Sequence, residues 1–148
     1  MHQAQLTQVA TFLLRVALGA MFLAHSLVLK LTVYTLPGTA QFFQSIGLAG
    51  WFAYVVFAAE AIGGVMLILG IQARWVALAL TPILVGATLV HSGNGWMFGY
   101  ENGGGEYPAY LTLLAVVQAM LGDGAFALSN SISIRTQFAP LRLAQGSV

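Results

Sequence analysis

The chain has 148 residues, of which 59% are hydrophobic and only 6% are charged, and it contains no cysteine. Soluble domains carry about 25% charged residues, so this composition indicates an integral membrane protein, with residues 1–148 forming one domain. The lack of cysteine excludes disulfides, thiolate nucleophiles and cysteine-ligated metal clusters. A net charge of +1 with no basic run argues against nucleic-acid binding.

Four apolar stretches each approach the roughly 20 residues that a membrane-spanning helix needs: 8–29, 50–70, 74–92 and 107–128. Aromatic residues near their ends mark the membrane–water interfaces: Trp51, Trp75, Trp96, Tyr107 and Tyr110. The second and third connections are short, which favours antiparallel packing of consecutive helices. The sequence therefore predicts an all-α fold, an integral membrane four-helix bundle.

The first connection contains a further helical signal. Residues 37–39 (PGT) are typical of a turn that ends in a helix N-cap at Thr39, and residues 40–46 (AQFFQSI) supply an apolar face. This pattern predicts a short interfacial helix on the outer membrane surface. We expect the glycine-rich third connection, 93–106, to form a flexible cover over the outer mouth of the bundle.

Basic residues set the expected orientation. Arg74, Arg135 and Arg142 lie on one predicted side, whereas Lys30 is the basic residue of the other. Because cytoplasmic loops are enriched in Lys and Arg, we expect both termini, including a tail at 129–148, to be cytoplasmic. The first stretch lacks the basic start of a signal peptide, so we expect it to remain as a span.

An inner level of polar residues lies inside the predicted spans. Glu60 is near the middle of the second, where an ionisable group costs about 2.5–3.5 kcal/mol on insertion scales. At about 1.5 Å per residue, Arg15, Glu60 and Gln118 fall at one depth. We expect Arg15 to pair with Glu60, with Gln118 hydrogen-bonded nearby. Two interpretations stay open: a structural network that joins the helices, or a catalytic site that uses Glu60 and Arg15.

An outer level contains His25, His91, Glu106 and Tyr107. Such residues can line a quinone or small-molecule pocket, ligate haem or a metal, or cap the bundle. No metal-binding spacing such as His-x-x-His occurs, so we predict no metal ligands, and we rank haem below a quinone. We expect Lys30 to extend to the lipid head groups and Asp123 to be solvated.

Several of these elements resemble the DoxX family of small bacterial membrane proteins. Residues 13–31 (LLRVALGAMFLAHSLVLKL) resemble its first span, and residues 60–70 (EAIGGVMLILG) followed by Arg74 resemble its second span and turn. His91, the glycine-rich stretch and residues 106–108 (EYP) match the third and fourth. The resemblance covers about residues 10–128. It departs at Ser26, where the family often has glycine, and at residues 122–130, where Asp123 intrudes.

The resemblance implies a four-helix bacterial inner-membrane protein linked to redox chemistry. Its name-giving members resemble small subunits of a thiosulfate:quinone oxidoreductase, and others are linked to oxidative-stress complexes. We therefore expect a quinone-interacting subunit with catalytic Glu60 and Arg15. The expected cofactor-binding residues are His25, His91, Glu106, Gln118 and Tyr107. The alternative is a non-catalytic membrane scaffold that anchors a soluble redox enzyme. Expected partners are the lipid bilayer, a redox-enzyme subunit and a second copy of the chain.

Overall fold

The computed structural model describes residues 2–131, which are helical apart from the connections between helices and the ten residues after the last helix. Helix α1 (Gln3–Leu23) continues directly into a π-helical segment (Ala24–Val33). The remaining helices are α2 (Leu36–Ser45), α3 (Trp51–Leu69), α4 (Ala73–Ser92) and α5 (Glu106–Leu121). Over this part of the chain the predicted all-α class is confirmed. Arg135, Arg142 and most of the predicted tail lie outside the described residues.

Three helices are long and apolar enough to cross a membrane, and they overlap the first three predicted stretches: Gln3–Val33, Trp51–Leu69 and Ala73–Ser92. Helix α5 has 16 residues, which is about 24 Å at 1.5 Å per residue and shorter than the predicted stretch 107–128. It ends early because Gly122 has a φ of 91°, from which an α-helix cannot continue. A fourth crossing by α5 stays a prediction.

The helices pack as two antiparallel pairs, α1 with α3 and α4 with α5, around a shared apolar core that includes Leu18, Phe22 and Leu80. The α1–α3 contact is close because both helices place glycine at the crossing. A Cβ added to Gly19 would lie 2.8 Å from the carbonyl oxygen of Gly64. Small residues allow such close approach of membrane helices, whose association depends on van der Waals packing.

Helix α2 confirms the predicted helix in the first connection, but its start differs from the prediction. The side chain of Thr35 caps the helix by accepting a hydrogen bond from the Gly38 amide at 3.2 Å. Pro37 fits in the first turn, where its missing N–H loses no helical hydrogen bond. The predicted cap, Thr39, instead lies within the helix and donates to the Thr35 carbonyl at 2.9 Å.

The connection 93–106 is a folded loop, not the flexible cover that we expected. The amides of Gly105 and Glu106 donate to the carbonyls of Gly95 at 3.0 Å and Trp96 at 2.9 Å. The Asn94 side chain also donates to the carbonyls of residues 102 and 103. These bonds give the loop a defined shape at the end of the bundle where α5 begins.

Candidate functional site

Arg15 is completely buried in α1, and its guanidinium points toward the segment that follows α5. It donates to the carbonyl oxygens of Asp123 at 2.5 Å, Ala125 at 3.3 Å and Phe126 at 3.3 Å. It also lies 5.3 Å from the centroid of the Phe12 ring, at cation–π distance. The predicted Arg15–Glu60 pair is therefore wrong. Depth counting could not anticipate that the chain after α5 folds back to supply these carbonyls.

Residues 122–131, which we call the return segment, run back across the ends of α1 and α3. The amides of Leu128 and Ser129 donate to the carbonyls of Leu69 and Gly70, both at 3.1 Å. The amide of Ala125 donates to the Gln8 carbonyl at 3.0 Å. The return segment therefore closes this end of the bundle with backbone hydrogen bonds.

Asp123 holds the return segment, so the prediction of a solvated aspartate is wrong. Its carboxylate accepts from the Ala73 amide at 2.8 Å, at the first turn of α4. It also accepts from the Ser131 amide at 2.6 Å and the Ser131 hydroxyl at 2.7 Å. A carboxylate at a helix N-terminus satisfies a free amide and is favoured by the helix dipole.

Gln118 belongs to the same closed end and does not bond to Glu60. Its side-chain amide donates to the Gly122 carbonyl at 2.6 Å, immediately before Asp123. The Gln118 side chain is fully buried, and its Oε1 has no hydrogen-bond partner among the described residues.

The partner of Glu60 is Lys30. Lys30 Nζ lies 2.6 Å from Glu60 Oε2, and their side chains are only 17% and 6% exposed. The lysine therefore does not extend to the lipid head groups as predicted. It belongs to the π-helical segment and meets the carboxylate at the middle of α3. Such a pair offsets much of the desolvation of both charges, whereas either group alone would be left uncompensated.

The π-helical winding affects which side chains lie together. The Tyr34 amide donates to the Leu29 carbonyl, five residues back, at 2.8 Å. Residues five apart therefore lie more nearly above one another than in an α-helix, which brings His25 and Lys30 toward one side. The buried Ser26 hydroxyl donates to the Phe22 carbonyl at 2.9 Å, where the winding changes. Nothing in the apolar run had distinguished this segment from ordinary α-helix.

His25 and Tyr107 are brought into contact, as the outer level predicted. Their rings are stacked, with centroids 6.0 Å apart and an interplanar angle of 20°. The other neighbour of Tyr107 is Phe98 of the loop, at 5.4 Å between centroids. Because a carbonyl can only accept, the 3.0 Å contact with the Met21 carbonyl requires His25 Nδ1 to donate. In the neutral ring, Nε2 is then the acceptor.

Glu106 and His91 lie near the same loop. Glu106 Oε2 accepts from the Phe98 amide at 3.1 Å. His91 Nδ1 donates to the Ala87 carbonyl at 2.9 Å, and its ring faces Gly103. No hydrogen bond joins His25 to His91 within the described part of the chain. Among residues 2–131, no three His, Asp or Glu side chains form a group that could hold a metal ion.

Comparisons with known proteins find a matching family and a relative for this chain. The DoxX family profile matches residues 10–93, more than half of the chain, and this range contains Arg15, His25, Lys30, Glu60 and His91. A protein of Bacillus subtilis (strain 168) named "Putative oxidoreductase CatD" is 34% identical over 121 residues. The alignment covers 82% of this chain and 85% of that protein. No solved structure matches this chain significantly.

Proposed function

The chain belongs to the DoxX family, and we propose that it is a quinone-interacting subunit of a bacterial inner-membrane redox system. The observation that carries the proposal is the buried ion pair between Lys30 of the π-helical segment and Glu60 of α3. Ionisable residues inside a membrane bundle indicate function by default, and π-helical turns are frequent at functional sites. The name of the Bacillus relative, an oxidoreductase, supports the same class of chemistry.

Glu60 is the proposed proton site. Reduction of a quinone to a quinol takes up two electrons and two protons. A soluble enzyme partner supplies the electrons in our proposal, while Glu60 passes protons from the bundle. Lys30 offsets the charge of the carboxylate whenever Glu60 has given up its proton, which lowers the energetic cost of that state within an apolar surrounding.

In this proposal, the residues of the outer level bind the substrate. The Tyr107 hydroxyl and His25 Nε2 are suited to hydrogen-bond quinone oxygens, with Glu106 and His91 at the same end of the bundle. Arg15 and Gln118 take a different role from the one expected of them. Because their hydrogen bonds go to backbone carbonyls of the return segment, we assign them to holding that segment.

The two ends of the bundle also suggest an orientation. The start of α1, the α3–α4 turn and the return segment lie at one end, as the bonds between Ala125 and Gln8 and between Ser129 and Gly70 require. Arg74 lies at this end and donates to the Ala119 carbonyl at 2.8 Å. By the positive-inside tendency we assign this end, and both termini, to the cytoplasm.

Replacing Glu60 with glutamine tests the proposal. Glu60→Gln keeps the size and a hydrogen-bonding oxygen but cannot carry a proton. We expect quinone reduction in membranes that contain the enzyme partner to fall about 100-fold, the lower range for general acid–base catalysis. The matched control is Glu101→Gln, an exposed carboxylate in the loop, which should leave the rate unchanged. A wild-type rate in folded Glu60→Gln would overturn the proposal.

The competing function, a scaffold without chemistry, makes the opposite prediction for a charge-free pair. Lys30→Met/Glu60→Leu removes both charges together and should keep the fold. A scaffold would retain both partner co-purification and quinone reduction by the assembled complex. Our proposal predicts that co-purification persists while quinone reduction is lost. Retained reduction would favour the scaffold.

A further inference from the structure

A groove of about 590 Å³ lies where the loop meets the first turns of α5. Four aromatic side chains contribute to its wall, and the remaining lining includes one carboxylate and a leucine: Trp96, Phe98, Tyr107, Tyr110, Glu106 and Leu113. Its volume is within the range of small-molecule sites, about 300–1,000 Å³. Aromatic walls favour a flat ring, which can stack against them in offset or edge-to-face geometry.

The groove changes in polarity along α5. Glu106 is the first residue of the helix, and Leu113 lies seven residues further, about 10 Å along its axis at 1.5 Å per residue. A ligand that fits this gradient has a polar ring at one end and a hydrocarbon chain at the other. A purely hydrocarbon ligand would leave the carboxylate end without a counterpart.

Glu106 further restricts the chemistry of the ring. Its Oε2 accepts from the Phe98 amide, and its Oε1 has no hydrogen-bond partner among residues 2–131. A carboxylate oxygen accepts hydrogen bonds, so it favours a ring that carries a hydroxyl donor over one that carries only carbonyl oxygens.

Tyr107 connects the groove to the interior of the bundle. Its ring lies between Phe98 on the groove side and His25 of the π-helical segment. The same segment carries Lys30, which binds Glu60. A ring against Tyr107 would therefore lie one side chain away from the segment that holds the ion pair.

We propose that this groove binds the reduced form of a membrane quinone, with a ring hydroxyl donating to Glu106 and the hydrocarbon chain running toward Leu113. The inference rests on the proposed function and adds the place that the reduced product occupies before it leaves. Glu106 acts here as a binding residue that discriminates between the reduced and oxidised rings.

Tryptophan fluorescence offers a direct binding measurement that does not depend on turnover. Trp51→Phe/Trp75→Phe leaves Trp96 as the sole tryptophan of the chain. We expect decyl-ubiquinone to quench Trp96 saturably. Tyr110→Ala should weaken binding about tenfold, whereas Tyr54→Ala, an exposed tyrosine of α3, should not. Quenching that rises linearly without saturation would show that no specific site is present. Equal displacement by a ring-free decyl alcohol would show that the groove takes hydrocarbon chains, and either result would overturn the inference.

Competition between oxidation states tests the role of Glu106. Decyl-ubiquinol should bind with about tenfold higher affinity than decyl-ubiquinone and should displace it, as expected for one charge-assisted hydrogen bond. Glu106→Gln retains an oxygen for the Phe98 amide but removes the charge, and it should abolish this preference. Glu101→Gln should keep it. Equal affinities of the two forms for the parent protein would overturn the assignment of Glu106.

Failure of this inference and failure of the proposed function are distinguishable. If Glu60→Gln stops quinone reduction while Trp96 shows no saturable quenching, the function stands and the groove is excluded. If Trp96 reports binding that depends on Glu106 while Glu60→Gln reduces quinone normally, the groove stands and the proton role of Glu60 is excluded.

Discussion

The α1–α3 pair carries two buried charged centres, and the charges are stabilised in different ways. At one end, the partners to which Arg15 donates among residues 2–131 are all backbone carbonyls of the return segment. In the other half, Lys30 of the π-helical segment meets the carboxylate of Glu60 directly. Backbone carbonyls carry no net charge, whereas the Glu60 carboxylate carries a charge opposite to that of Lys30.

The two centres therefore differ in what each buried charge depends on. The Arg15 centre has one favourable state, in which the return segment lies across the bundle. The Lys30–Glu60 centre instead depends on two side-chain charges, each of which would be buried without compensation if the other were lost. The glycine contact at Gly19 and Gly64 lies between the two centres along α1 and keeps the helices close there.

The largest expected effect comes from removing the cation of the Lys30–Glu60 centre. Lys30→Met would leave the Glu60 carboxylate buried without a partner, and we expect a loss of roughly 4 kcal/mol in unfolding free energy. Glu60→Leu should be milder, because a lysine near the end of the helical run can extend toward the head groups. Thermal unfolding in mild detergent measures both.

The double variant completes that test. Lys30→Met/Glu60→Leu should recover most of the stability lost in Lys30→Met, because neither charge remains to be buried. Equal stability of Lys30→Met and the parent protein would show that the two side chains do not depend on each other.

The Arg15 centre should respond less strongly to loss of its cation. Arg15→Met leaves three carbonyls of the return segment without their donor, and we expect a loss of roughly 3 kcal/mol. Arg15→Lys, which keeps the charge but not the fork of donors, should recover part of it. Proteolysis should then begin in the return segment, detected by mass spectrometry of the fragments. Unchanged protection in Arg15→Met would contradict a holding role.

Much of the helical frame could be predicted from the sequence, whereas the pairing of the charges could not. Apolar length determined the first three spans, because every backbone group inside a bilayer must be satisfied within its own helix. Glu60 and Arg15 were correctly placed inside helices that pack together. Their partners depended on two features without a hydropathy signal: the early turn at Gly122 and the π-helical winding around Lys30.

The outer level shows how far side-chain chemistry can be anticipated. His25 and Tyr107 were expected at one height, and their rings are in contact. The groove was not predicted because Trp96 and Tyr110 were interpreted only as interfacial aromatics. Phe98 lines the groove only because of the way the loop folds. The hydrogen bond from the Phe98 amide to Glu106 could not be predicted either, because the spacing of these two residues in a glycine-rich loop matches no regular element.

A smaller effect should follow from widening the contact between the two centres. Gly19→Ala would place a methyl group 2.7 Å from Ile68 Cγ1 and 2.8 Å from the Gly64 carbonyl, so the helices must separate. We expect a loss of about 2 kcal/mol. Gly86→Ala is the matched control, since an added Cβ there meets nothing within 4 Å. It should be neutral or stabilising by about 0.5 kcal/mol. Equal effects would mean that the crossing can relax.

The smallest expected effect belongs to Asp123→Asn, with a loss of about 1 kcal/mol, since one of the donors from Ala73 and Ser131 would face an amide nitrogen. Combining it with Arg15→Met should give a non-additive change, because both residues hold the same return segment. Combining it with Lys30→Met should give an additive change, because Lys30 and Glu60 share no hydrogen bond with Asp123. Coupling of Asp123 to Lys30 as strong as to Arg15 would show that the two centres respond as one unit.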